Sequence, residues 1–476
     1  MTEQRTAWQL DPDRALPAEP GVRALAREIY ASTAALPIVS MHGHVDVDLL
    51  VQDEPFANPA EMFVIPDHYL VRMLVSQGES PAALGIPTQD GSPYETDPRE
   101  VWRRFCRNWK LFRGTPTRYW LEHELAVVFE APAPPSEETA DGLYDFLLDR
   151  LARDESRPRA LLDRFNVELL ATTDSAASGL AGHRKLAEQE GRQRILPTFR
   201  PDDLLHIRRP GWAADVRRLS EVSGIEARDY DSFLLALRQR RAAFLQAGAR
   251  ATDHGHLSAS AEPLDPADAR SIFAAALRGE SDATAAEAFA GGMLYEMARM
   301  SAEDGLVMQL HPGVLRNHSS AVRSRYGTDK GFDIPVRVEF TRALQPLLNS
   351  FGMDPGFRMI VFTTDETVYS RELAPLAGAY PALRLGAPWW FLDSPEQMRR
   401  FRESAVETAG FYNTSGFVDD TRALASIPAR HDLARRIDAG FLARLVAEGR
   451  LAAAEAVETG IDLAYNLPLQ SYAPRP

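Results

Sequence analysis

Eight short apolar runs recur along the chain, at residues 36–45, 166–174, 194–202, 248–255, 305–313, 358–366, 383–391 and 415–420, with helical periodicity between them. β-rich runs alternating with amphipathic helices are the pattern of βα units and hence of a parallel sheet. A doubly wound open sheet would carry a glycine-rich phosphate turn after an early strand, and the sequence contains neither GxGxxG nor GxxxxGK[ST]. Eight runs suit an α/β fold of the closed (β/α)8 TIM-barrel class. Polar residues close nearly every run: His42 and His44, Thr173 and Asp174, Arg200 and Asp202, Asp253 and His254, His311, Asp365, Trp389 and Trp390, and Asp420. In a barrel those ends converge on one mouth, the face where barrel enzymes hold their chemistry.

Residues 46–165 separate the first two runs and carry several helical patterns, too many for one crossover. The expected division is 1–45 as N-terminal segment and first strand, 46–165 as a helical insertion over the mouth, and 166–476 as the rest of the barrel. The closing QSYAPRP reads as a frayed tail. With 45% hydrophobic residues in 476, the chain has material for a large core. Its formal net charge of −14 opposes attraction to nucleic acid or an anionic membrane. The single cysteine, Cys106, allows no intramolecular disulfide, the N-terminus lacks an apolar signal core, and no stretch is long and apolar enough to span a bilayer. The expectation is a soluble cytoplasmic protein, by default a homo-oligomer, with a small-molecule partner.

Among 53 basic residues only Lys110, Lys185 and Lys330 are lysines. A Schiff base, or a metal pair bridged by a modified lysine, must use one of them. None ends a strand run, so a single-metal site is the simplest reading. His42 and His44 are expected to point the same way by strand alternation. The last strand of a closed barrel pairs with the first, which brings Asp420 beside them. Two imidazoles and a carboxylate with open positions suit Zn2+ or a similar divalent ion. His183 and His206 are expected on helices or loops away from this chemistry, and His123 either reaches the mouth or packs between helices.

Longer segments carry a family likeness. LPIVSMHGHV is similar to an LPI-x-D-x-HCH segment, and NPAEMFVIPDHYLVRML contains a DHY-xx-R stretch at Asp67, His68, Tyr69 and Arg72. NVELLATTD, LPTFRPD, TDHG, MQLHPGVLRNHS, WWFLD and DDTRALASIPARHDLARR extend the match over most of the chain. In these segments the sequence resembles the uronate isomerases of the amidohydrolase superfamily. The resemblance implies one zinc-type ion on His42, His44 and Asp420, with catalytic roles for Asp420, Tyr69, His68, Arg422 and His311. It implies substrate contacts from Arg200, Arg316, Trp389, Trp390, His254 and Arg72, although the position of His254 also suits an extra ligand or a residue behind one.

The implied reaction is aldose-ketose isomerisation of a hexuronate, D-glucuronate to D-fructuronate or D-galacturonate to D-tagaturonate, by proton transfer between C2 and C1 through a cis-enediol. A metal ion and a proton shuttle meet the needs of that step, and arginines match a substrate carboxylate bidentately. Four departures from the family pattern stand out: Ser40 and Gly43 around the first histidine, FTTDETVYSREL at the sixth strand where the family has a segment close to LNP-xx-N, and Ala387-Pro388 before the tryptophans. The alternatives are a mononuclear hydrolase of a sugar-acid lactone, amide or ester on the same scaffold, and a non-catalytic sugar-acid binder. The binder would be expected to have lost part of the metal triad, which is complete here.

Overall fold

The computed structural model describes residues 8–474. Seven of the eight runs build a continuous parallel wall. β1 (Ile38–Ser40) pairs with β2 (Val167–Ala171), which β3 (Asp174–Ser175) continues after a break; β2 pairs in turn with β4 (Ile195–Leu196), continued by β5 (Phe199–Arg200). The ladder runs on from β5 to β6 (Ala251–His254) and β7 (Val307–Leu310). A small antiparallel pair, β8 (Val314–Leu315) and β9 (Ile334–Pro335), stands outside the wall. β10 (Met359–Val361) and β11 (Leu383–Leu385) complete the wall beside β7.

The eighth run is not a regular strand. It meets β11 through one parallel bridge, Leu385 to Thr414. It meets the first run through two hydrogen bonds, from Asp420 N–H to the His42 carbonyl (3.1 Å) and from His44 N–H to the Thr421 carbonyl (2.9 Å). The ring of this (β/α)8 barrel is therefore joined by loop-like backbone, in which Asp420 itself has φ 43°. A ladder needs extended residues, and Asp420 is in the left-handed region.

Val39, Leu169, Leu196, Ala251, Val307 and Ile360 face the barrel interior, while Ile38, Leu170, Met308 and Met359 face the surrounding helices. The chain's end corrects the expectation of a frayed tail: Tyr472 is fully buried in the interior cluster, and its hydroxyl donates to Gln309 Oε1 at 2.8 Å.

Residues 46–165 form the helices Val47–Gln52, Pro59–Phe63, His68–Ser76, Pro98–Arg107, Pro116–His123, Ala140–Leu151 and Pro158–Arg164, joined by shorter turns. Several start at proline behind a capping side chain, Asn58, Asp97 and Thr115, which satisfies the free N–H groups of the first turn. Their buried faces, centred on Trp102, Phe105 and Phe112, share one cluster with Ile38, Val167, Leu170 and Ile195 of the wall. The helices are thus packed onto the barrel itself. Among the described residues no helix is long and apolar enough to cross a membrane.

Candidate active site

A cavity of about 730 Å³ opens at the C-terminal ends of the wall strands and is roofed by residues of the helical stretch, among them Phe56, Met62, His68, Tyr69 and Glu124. At its base His42 Nε2 lies 3.2 Å and His44 Nε2 3.0 Å from Asp420 Oδ1. These contacts lack hydrogen-bond geometry, and Asp420 Oδ1 has no other partner. Donors converging at the base of a cavity without bonding one another are the arrangement a divalent ion satisfies, and the separations suit donors about 2.1 Å from a tetrahedral centre. Burial opposes ionisation of Asp420, yet the two imidazoles hold it well below the usual carboxylate range.

Strand alternation is not what aligns the two histidines. Val39 and Met41 occupy the inward positions, and β1 ends at Ser40. His42 and His44 are turned in because the chain bends there and is bonded to the Asp420 segment. Gly43 is a tolerant departure: a Cβ at this position would meet its nearest neighbours at 3.4–3.5 Å, ordinary contact.

Behind these three candidate donors, His42 stacks on His311 (4.4 Å between centroids) and His311 on Phe362 (4.0 Å), with Trp389 edge-on at 4.7 Å. His311 Nδ1 faces Asp253 Oδ1 at 2.6 Å and its Nε2 has no partner. Burial lowers the His311 pKa to about 4 despite Asp253, so at neutral pH the ring is uncharged and its Nε2 is free to accept. Asp253 also meets Arg200 at 3.1 Å, and Arg200 meets Asp202 at 2.7 Å. His42, Asp253 and His311 also lie within metal-binding reach of one another, but Asp253 is already held by His311 and Arg200.

The opposite wall comes from the helical roof and the rim loops. His68 stacks on Tyr69 (4.4 Å), and burial lifts the Tyr69 phenol above its ordinary range against the pull of Arg430. Arg316 pairs with Asp333 (2.8 Å) and lies over Trp390, and Arg422 pairs with Asp329 (2.6 Å). Both arginines remain partly exposed at the rim. Asn317, Asp329, Trp390 and Asp420 all line the cavity at positive φ. Such a conformation is costly for a tryptophan and collects at functional sites.

Residues 22–470 match the family model described as glucuronate isomerase. The chain belongs to the glucuronate isomerase family. It is 50% identical over 463 residues to the uronate isomerase of Rhizobium meliloti (strain 1021), covering 97% of this chain and 99% of that one. With the uronate isomerase of Xanthomonas campestris pv. campestris (strain B100) the identity is 52%, over 97% and 98% of the two chains. The crystal structure of glucuronate isomerase from Caulobacter crescentus superposes with a TM-score of 0.96 at 47% identity, covering 98% of each chain.

Not every family-implied residue reaches the cavity. His42, His44, His68, Tyr69, Arg200, His311, Arg316, Trp389, Trp390, Asp420 and Arg422 line it. His254 does not: Asp253 takes the inward position on β6, so the next side chain faces out of the barrel, where its Nε2 meets Thr252 Oγ1 at 3.0 Å. Arg72 is also absent from the lining, its guanidinium lying 4.6 Å over the Phe391 ring. The divergent sixth-strand segment contributes no wall, since no residue of 358–373 lines the cavity. None of the three lysines lines it either. His123 packs between Arg14 and Asp432 away from the mouth.

Two further residues complete the cavity lining. Glu124, on a π-helical turn (Glu124–Val128), lines the cavity, and burial pushes its carboxyl to about 8. Arg430 is buried against Asp393 and lies 3.6 Å over the Trp120 ring. Arg430 falls in the ARHDLARR segment that carries the family likeness; its neighbour His431 does not line the cavity and has its Nε2 3.1 Å from Asp419 Oδ2.

Proposed function

We propose that the protein interconverts an aldo- and a keto-hexuronate, D-glucuronate with D-fructuronate or D-galacturonate with D-tagaturonate, with one Zn2+ held by His42, His44 and Asp420. The observation that carries this reading is the convergence of those three donors at the base of an arginine-lined cavity, in a chain of this family. When bound, the ion would polarise substrate oxygens and stabilise the negative charge of the enediolate.

The chain's own residues supply the proton traffic. Asp420 is anionic, and beyond its ligand role it is the acceptor for the C2 proton. Tyr69 stays protonated, so it acts as a hydrogen-bond and proton donor toward the enediol, with the fixed charge of Arg430 5.6 Å from its ring and that of Arg422 at the rim of the same cavity. The free Nε2 of His311 accepts from a substrate hydroxyl during ring opening, and Asp253 holds the tautomer that leaves this nitrogen open. His68, kept uncharged by burial, is the second group available there. Arg316 and Arg422 at the rim are placed to take the substrate carboxylate by exchanging their aspartate partners, while Trp389 and Trp390 bound the sugar face. A lysine-bridged hydrolytic metal pair has no lysine to use in this cavity.

The test is incubation with glucuronate or galacturonate in D2O, following carbon-bound protons by NMR. Exchange at C2 with appearance of the ketose is expected, and Asp420→Asn is expected to abolish both. Unchanged uronate, with cleavage of a sugar-acid lactone instead, would overturn the isomerase reading.

A further inference from the structure

On the outer face of the barrel wall, where the third and fourth strand runs end, a second group of metal-type donors lies apart from the cavity. Asp202, His254 and His256 each offer a ligand atom within 4.8 Å of the others, and both histidines are at least nine-tenths buried. Each has a buried ring nitrogen with no partner at all, Nδ1 of His254 and Nε2 of His256. A buried polar atom left unsatisfied costs about 1–3 kcal/mol, so two in one cluster call for a ligand. Their remaining surroundings do not supply one: the other nitrogen of His254 is engaged by Thr252, and His206, whose ring is 5.2 Å from that of His256, donates through Nε2 to the Gly255 carbonyl.

The cluster is also built for close approach. Gly255 N–H donates to both oxygens of Asp202, at 3.1 and 3.0 Å, and a Cβ on Gly255 would stand 2.9 Å from Asp202 Oδ2 and 2.7 Å from Arg200 Nη2.

We propose that Asp202, His254 and His256 form a second divalent-cation site of the zinc type, outside the catalytic cavity. Two imidazoles and one carboxylate select Zn2+ or Co2+ over Mg2+ or Ca2+, which prefer oxygen. Closing the donors to the about 3.4 Å that a tetrahedral ion demands takes side-chain movements of about 1 Å. The fourth position belongs to water or to His206. The site is wired to the cavity, because Asp202 holds Arg200, Arg200 meets Asp253, and Asp253 holds His311. A cation there therefore fixes Asp202, and through it a positioning residue for the proposed sugar-acid site.

Zn2+ binding to the chelator-stripped, refilled full chain, counted by equilibrium dialysis and atomic emission, tests this directly. Two ions per chain are expected, falling to one in His256→Asn and to one in Asp420→Asn, with a Co2+ absorption whose intensity falls by one site's share in each variant. One ion in the parent chain that His256→Asn retains, or two retained in His256→Asn, would overturn the site. Should His256→Asn not fold, anomalous diffraction at the zinc edge of the parent decides: a peak between Asp202, His254 and His256 supports it, and its absence at saturating Zn2+ refutes it. A single ion that survives Asp420→Asn but not His256→Asn would instead sink the metal assignment of the proposed function.

Discussion

Glu124 shows how much chemistry a single buried group can carry without any trace in sequence. Its side chain is 4% exposed and faces the cavity near Asp67 and Arg430, and its carboxyl titrates at about 8 against an ordinary 4.5 because burial disfavours the charge. The unfolded chain thus ionises this group at lower pH than the folded protein does. Stability from keeping it neutral is full below about pH 4.5 and is lost as pH rises through about 8. Glu124→Gln is always neutral, so it should raise the melting temperature by a few degrees at pH 8 and by little at pH 5; equal shifts at both would show that the charge plays no part. His183 is the opposite case. It lies outside the cavity but is buried, with its Nε2 2.8 Å from Thr172 Oγ1. His183→Ala is expected to leave kcat/KM within a few-fold of the parent while lowering stability by about 1–3 kcal/mol, measured by denaturant unfolding.

At the scale of elements, the helix His68–Ser76 sets one wall of the site. Asp67 caps it by accepting from the N–H groups of Tyr69 and Leu70, at 2.8 and 3.2 Å. The same carboxylate that satisfies the first turn therefore fixes the turn that carries His68 and Tyr69, both of which line the cavity. Asp67→Ala should cost about 1 kcal/mol of stability, and by loosening His68 and Tyr69 it should reduce kcat by up to about 100-fold. The DHY stretch was readable in the sequence through its family likeness, whereas the helix start at Asp67 was not: a single helical pattern runs through residues 59–77, and the structure divides it into Pro59–Phe63 and His68–Ser76. The outward turn of His254 follows from strand alternation, once the register of β6 is known to put Asp253 inward. The non-strand state of residues 415–420 was not readable, because an apolar run ending in acidic residues looks the same whether or not its backbone stays extended.

For the molecule as a whole, the join between the first and last barrel segments is also the proposed metal site. Only two backbone hydrogen bonds link His42 and His44 to the Asp420 segment, and a bound ion would tie the same residues together by their side chains. An ion present at about 100 times its Kd stabilises the folded state by about 2.7 kcal/mol. Chelation should accordingly lower the melting temperature, and added Zn2+ should restore it, in thermal unfolding followed by circular dichroism. A melting temperature indifferent to chelator would mean that no ion bridges the join.

The sequence by itself determined the parallel α/β order, the long helical stretch after the first strand, and the identity of the donors at the strand ends, because periodicity and residue chemistry are local properties. Only the tertiary structure decided which of those donors share a space. It turned Asp253 in and His254 out, recruited Glu124 and Arg430 from helices distant in sequence, and brought Tyr472 from the chain's end to the barrel floor. Those outcomes depend on strand register, on packing between remote segments and on a left-handed turn at Asp420, none of which a linear pattern of apolar and polar residues encodes.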